Sequence, residues 1–148
     1  MYTEQNKGFT VITNFGCDCH CKYCITKHHP ILQNAVTDKS KIDWDYLEKC
    51  IAASEAPTVN LSGGGDPFYH WQENIDFYNR MYELATKYGK QLDIHTRILP
   101  TDMGLIQKFR KIALSIESYD TKAMEQLRMM LPEIEKTTKL RVINVLNE

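Results

Sequence analysis

Gly8-Phe9-Thr10-Val11-Ile12-Thr13-Asn14-Phe15-Gly16-Cys17-Asp18-Cys19-His20-Cys21-Lys22-Tyr23-Cys24 is the stretch that decides both the fold and the chemistry of this chain. Its first half, residues 8–15, is short, β-branched and aromatic, and Gly16 closes it, which predicts a buried strand. Its second half packs four of the chain's five cysteines into eight residues. Asp18 and Lys22 interrupt that run, so it is not a buried apolar stripe. Thiols so crowded in a polar loop are there for their sulfur, as ligands of a metal or a cluster.

Working outward, the chain repeats strand, turn and helix. Residues 43–55 carry Trp44, Leu47 and Ile51 at helical spacing, with Asp43 as N-cap and Pro57 beyond the end. Cys50 lies on that apolar face and is expected in the core. Residues 58–62 alternate as a second strand and stop in Gly63-Gly64-Gly65-Asp66-Pro67. Residues 71–88 predict a long amphipathic helix with Ile75, Tyr78, Tyr82 and Ala85 inward and Gly89 at the C′ position. Further strands are expected over 91–98, 111–117 and 140–146. A short helix over 101–110, capped by Thr101, turns Leu105, Ile106 and Phe109 inward. A helix capped by Asp120 runs until Pro132 ends or kinks it.

Strands alternating with helices predict an α/β fold with a parallel sheet and right-handed crossovers. At 148 residues, 1–148 is one domain. The βα loops of such an array gather at one end of the sheet, where sites form. The cysteine loop and the glycine turn, following strands one and two, then share a rim. Period two turns Asp93, His95 and Arg97 of strand three, and Ala113, Ser115 and Glu117 of strand four, away from the helices. Val142, Asn144, Leu146 and Glu148 share a parity on strand five.

Composition removes several classes of function. A chain that is 43% hydrophobic and 25% charged has an ordinary globular balance, which argues against wholesale disorder. Its net charge of −1 gives no electrostatic footprint for nucleic acid. No apolar run reaches the length of a membrane span, and the polar N-terminus has no signal-peptide core. A cytoplasmic location with no membrane partner is the expectation, and cysteines stay reduced there.

Cys17, Cys21 and Cys24 are spaced C-x3-C-x2-C, with the aromatic Tyr23 just before the last. That pattern resembles the cluster loop of the radical S-adenosylmethionine (radical SAM) enzymes. Gly64-Gly65-Asp66-Pro67, at the end of strand two, resembles the family's Gly-Gly-Glu-Pro turn, with Asp66 one methylene shorter than the usual Glu. The resemblance implies a partial parallel (β/α) barrel, here of about five βα units and C-terminally short against the usual six. It implies a 4Fe-4S cluster on Cys17, Cys21 and Cys24, with the fourth iron open to the amino and carboxylate groups of SAM. Reductive cleavage of SAM to methionine would then yield a 5′-deoxyadenosyl radical that abstracts hydrogen from a substrate.

In that family the glycine turn, here Gly64, Gly65 and Asp66, holds the SAM amino group, and Tyr23 corresponds to a residue near the adenine. Thr96 and Arg97 stand where relatives often show Thr-Asn-Gly. Ser115 and Glu117 occupy positions that touch the SAM ribose or carboxylate. Residues 141–148 weakly resemble the strand-five motif, keeping Ile143 and Glu148, with Asn144 on the parity of Glu148. For these strand residues, direct contact with SAM and ordinary packing fit the sequence equally. The family implies an external low-potential electron donor of flavodoxin or ferredoxin type. Its substrate would be a glycyl-radical-type protein or a nucleotide-like small molecule. A partner or second copy is expected over the exposed fifth-strand edge.

Two other classes stay open on the residues alone. A zinc-binding interaction module could use Cys21, Cys24 and His28 with Cys17 or Cys19. Cys21-Lys22-Tyr23-Cys24 could be a thioredoxin-like redox pair. Cys19 is expected to be a bystander thiol, and His20, His28 and His29 to be loop histidines in solvent.

Overall fold

The computed structural model describes residues 8–19, 21, 24, 38–116 and 120–144. Five parallel strands form one sheet: β1 (Gly8–Val11), β2 (Thr58–Leu61), β3 (Gln91–Thr96), β4 (Phe109–Ile116) and β5 (Lys139–Asn144). They lie side by side in chain order, β1-β2-β3-β4-β5. A sheet whose order never reverses has no switch point. Right-handed crossovers then carry every helix to the same face, which is barrel-like winding and not the doubly wound kind. The helices are α1 (Trp44–Ala53), α2 (Ile75–Lys87), α3 (Met103–Ile106) and α4 (Thr121–Ile134).

The register divides the strand side chains into two rows. Val59 pairs with Leu92, Ile94 with Ile112, and Ile112 and Leu114 with Leu140 and Val142. Partners in register point to the same side of a sheet. From that row Val59, Leu61, Leu92, Ile94, Ile112, Leu114 and Ile116 enter one core with Ile51 of α1, Tyr78 and Met81 of α2, Ile106 of α3 and Ile134 of α4. The other row carries Asn60, Asp93, His95, Lys111, Ala113, Ser115 and Arg141 on the open face. A bulge between Leu92 and Asp93 leaves Arg110 as the extra residue of β4. Its guanidinium grips Asp93 with two hydrogen bonds, the Nε–Oδ1 one being 2.9 Å.

Local signals explain most element bounds. Asp43 and Asp120 cap α1 and α4 by accepting from the Tyr46 and Ala123 amides. Gly89 follows α2 with φ +65°, the left-handed conformation that a C′ residue takes. Several expectations are corrected. β1 stops pairing at Val11, four residues early, because Asn14 is left-handed (φ 46°) and bends the chain. Asp102, not Thr101, caps α3, and Phe109 already belongs to β4.

In α2 the buried residues are Phe77, Tyr78, Met81, Leu84 and Ala85, while Tyr82 faces out beneath the Lys108 ammonium, 5.0 Å from its ring. The helix is entered through a tighter 3-10 turn, Trp71–Asn74, which rotates its phase. Pro132 neither ends nor breaks α4. It lies in the last turn, where its missing N–H loses a single bond, and the helix runs on to Ile134. Cys50 is half-buried, because α1 buries Ile51 alone.

Phe68 is fully buried, edge-on to Tyr78 and to Phe109 at ring separations of 5.4 Å. It anchors the turn after β2 to α2 and β4. We expect Phe68→Ala to destabilise the fold by about 4 kcal/mol. Urea unfolding followed by circular dichroism measures this, and a loss under about 1 kcal/mol would contradict the packing described.

Candidate functional site

Two loops meet at the carboxyl ends of β1 and β2. After Val11 accepts a hydrogen bond from the Ser62 amide (3.1 Å), the chains part and touch again at Gly16 and Gly65, an isolated parallel bridge. There the Asp66 amide donates to the Gly16 carbonyl at 2.9 Å. Such an approach leaves no room for side chains. A Cβ on Gly65 (φ +124°) would collide with the Gly16 carbonyl oxygen. One on Gly64 (φ +68°) would sit 2.8 Å from both Asn14 Cβ and Ile12 Cγ2. The two glycines therefore seat the glycine turn against the entry to the cysteine loop.

Asp66 is 5% exposed, and its carboxylate is engaged from three directions. Oδ1 accepts from the Phe68 amide (2.8 Å) and the Thr96 hydroxyl (2.6 Å), and Oδ2 accepts from the Arg97 amide (2.6 Å). The resemblance gives this carboxylate to the SAM ammonium. Here three protein donors hold it inside the fold, so it clamps the turn of β2 to the end of β3. Thr96 is equally occupied, because its hydroxyl also accepts from the Ile98 amide at 3.0 Å. Burial pushes the Asp66 carboxyl above its ordinary range, against the pull of Thr96, the Arg97 and Phe68 amides, and the Arg97 charge.

Arg97 carries the clamp onward. Its amide is held by Asp66 and its guanidinium Nη1 lies 2.7 Å from Cys21 Sγ. The Cys24 amide donates to the Cys21 carbonyl at 3.2 Å. All five cysteines are free thiols, with Cys17 exposed and Cys19, Cys21 and Cys24 half-buried.

Among the described residues the ligand atoms close enough to share one ion are those of Cys17, Asp18 and Cys19, all within 4.8 Å of one another. Two thiolates on one tetrahedral zinc with Zn–S of about 2.3 Å stand about 3.8 Å apart, so this grouping suits a single ion. It is not evidence for a 4Fe-4S cluster, whose thiolates sit on different irons and stand farther apart. Burial and the Cys17 sulfur push the Cys19 thiol up to about 12, outweighing the opposite pull of Arg97. Without a metal, Cys19 is a neutral thiol.

The remaining expected site residues fall in three places. Ser115 is half-buried on the open face, in register with Ile143. Asn144 is exposed and in register with Ile116, on the helix-side row and so not on the face of Ser115. Tyr23, Glu117 and Glu148 lie outside the described residues, as do His20, His28 and His29. Asn60 was not anticipated. It lies on the open face between Thr10 and Asp93, and its side-chain oxygen is buried without a hydrogen-bond partner among the described residues. The signal was present in the sequence as a polar residue at the inner parity of a strand. A hollow of about 490 Å³ beside Trp44, Phe77 and Arg80 shares no lining residue with either loop.

Two variants test this geometry. Gly65→Ala should destabilise by roughly 3 kcal/mol, from left-handed strain plus the backbone collision. Gly63→Ala (φ +76°, nearest atom 3.9 Å away) should cost about 1 kcal/mol. Equal losses in urea unfolding would mean that the loops do not cross so closely. Asp66→Asn turns one acceptor oxygen into a donor facing a donor and should cost about 2 kcal/mol at neutral pH. A raised carboxyl pKa means that the folded state binds the proton more readily than the unfolded chain does. The Asp66 contribution therefore grows as pH falls toward the ordinary carboxylate range. The stability gap between wild type and Asp66→Asn should widen over that interval, and a gap that narrows would reverse the assignment. No family model matches the chain, and no curated protein or solved structure does either.

Proposed function

We propose that this chain is a radical SAM enzyme, with a 4Fe-4S cluster on Cys17, Cys21 and Cys24 in a partial (β/α) barrel. The observation that supports it best is the Gly16–Gly65 bridge. It brings the C-x3-C-x2-C loop and the glycine turn into backbone contact at the ends of adjacent parallel strands. Neither motif carries that argument alone. The donor set fits the cluster: free thiols on one loop, three at the required spacing and one beside a guanidinium. When bound, the cluster supplies one electron and SAM supplies the 5′-deoxyadenosyl group that takes hydrogen from the substrate.

The chain's own residues hold and orient. Cys17, Cys21 and Cys24 would ligate the cluster. Gly64 and Gly65 fix the turn, and the Asp66 clamp aims Arg97 at the loop. Since the Asp66 carboxylate is engaged within the fold, backbone groups of the turn are the better candidates for the SAM amino group. An external low-potential donor of flavodoxin or ferredoxin type would supply the electron. β5 is an edge strand with Val142 47% exposed, which is where a partner or second copy would pair.

A second reading has its own observation, the Cys17–Asp18–Cys19 grouping, which suits a single ion such as zinc in an interaction module. The two readings predict opposite mutant patterns. After anaerobic reconstitution with iron and sulfide, addition of SAM and dithionite should give 5′-deoxyadenosine, measured by mass spectrometry. Cys17→Ala, Cys21→Ala and Cys24→Ala should abolish it and the brown cluster absorbance, while Cys19→Ala keeps both. A colourless protein whose zinc is lost in Cys19→Ala but retained in Cys24→Ala would overturn the radical reading.

A further inference from the structure

The open face of the sheet is not electrostatically neutral. Along β3, β4 and β5 three levels can be read from the register. Asp93, Lys111 and Lys139 form the lowest, and His95, Ala113 and Arg141 the next. Ser115 and Ile143 lie above, with Arg97 just past the end of β3. Asp93 is the only carboxylate on these levels among the described residues. It is 4% exposed and already held by Arg110 and, at 3.4 Å, by Lys111. One carboxylate thus faces two cations of its own, and among the described residues no carboxylate stands on the level of Arg141. Arg141 has no hydrogen-bond or ion-pair partner among the described residues.

The middle level is arranged for convergence. His95 and Arg141 flank Ala113 on neighbouring strands, so their Cα atoms stand about 9.6 Å apart, two strand spacings. A single methyl between them does not hold the two longer side chains apart. Burial lowers the His95 pKa first, and the Lys111 and Arg141 charges lower it further, with Asp93 opposing. Both cations therefore act on the imidazole. His95 is also about 6.6 Å, two residues of strand, from Arg97, whose side chain reaches Cys21. The level of His95 and Arg141 thus lies two residues below Arg97 along β3.

We propose that the open face of β3–β5 binds a small anionic molecule through one oxyanion, phosphate or carboxylate, held by Arg141 and His95 over Ala113 with Lys111 beneath. Calling that molecule the substrate rests on the radical SAM reading; the anion site itself does not. Charge complementarity selects the occupant. An acidic group gains two donors without displacing any protein carboxylate, whereas a cation would meet only Asp93, which is already paired.

The test uses the full chain without cluster or SAM. Its histidine resonances are followed by NMR, with His95→Gln for assignment and the exposed His70, on the turn after β2, as internal reference. Inorganic phosphate and malonate are titrated separately at constant ionic strength set by sodium chloride. Saturable movement of the His95 signal is expected, with its pKa raised by the bound anion and His70 unmoved. Arg141 is exposed and unpartnered, so Arg141→Gln leaves the fold intact and should weaken binding at least tenfold. The stronger of the two anions names the source, a phosphorylated or a carboxylated molecule.

Equal movement of His95 and His70 would mean ionic screening only, and wild-type affinity in Arg141→Gln would mean that the anion binds elsewhere. Either result, or no saturation with both anions, overturns the proposal. Saturable binding in a protein that fails to cleave SAM keeps the anion site and removes the radical reading. Cleavage without any anion response does the reverse.

Discussion

A carboxylate taken out of water must be fully hydrogen-bonded, since leaving it unpaired costs several kcal/mol. Asp66 meets that demand with donors from two segments, its own turn and the end of β3. The demand fixes the turn after β2 relative to β3. The same residue's amide reaches the Gly16 carbonyl, which fixes the loop after β1. Three successive βα connections are thus registered through one side chain and one amide. Arg97, held by its own amide, is placed by this arrangement so that its guanidinium reaches Cys21.

That dependence changes what the glycine turn means. A shorter acid in place of Glu looks like a weakened ligand when the residues are compared one by one. Within the fold the shorter side chain is what lets the carboxylate stay inside the turn and accept from the Phe68 amide two residues on. The additional methylene of Glu would push the group past those donors. Gly64 and Gly65 serve the same end, because the two loops approach to distances that exclude any Cβ. Local conformation and packing thus constrain these three residues.

Much of the fold was legible because its signals are local. Asp43, Asp120 and Gly89 act within a turn of their own helices, and the strands show period two over a few residues. What was not legible depends on neighbours distant in sequence. Asn14 bends the chain out of β1 although the surrounding residues are good strand formers. The inward face of α2 is set by the phase of the 3-10 turn before it, so Tyr82, expected inward, faces out beside a buried Met81. At the site, the cysteine spacing was visible, but the use of Asp66 and Thr96 as a clamp was not, since their partners lie about thirty residues apart. The row of Asn144 depended on the β4–β5 register, which the alternation of one strand cannot supply.

The two faces of the sheet pose different problems, and their compositions follow. The helix face is closed, so its row is almost wholly aliphatic and drives folding by burial. On the open face a polar side chain keeps access to solvent or to a ligand, so charge is tolerated there if it is not isolated. Asp93 is the exception that proves costly enough to need two cations, and the bulge that frees Arg110 is the backbone's answer to it. With that acid compensated, the charge on the next level among the described residues is that of Arg141. His95 of that face lies two residues before Arg97, which follows β3 and reaches Cys21. A ligand seated beside His95 would be tied to Cys21 through β3 and the Arg97 side chain.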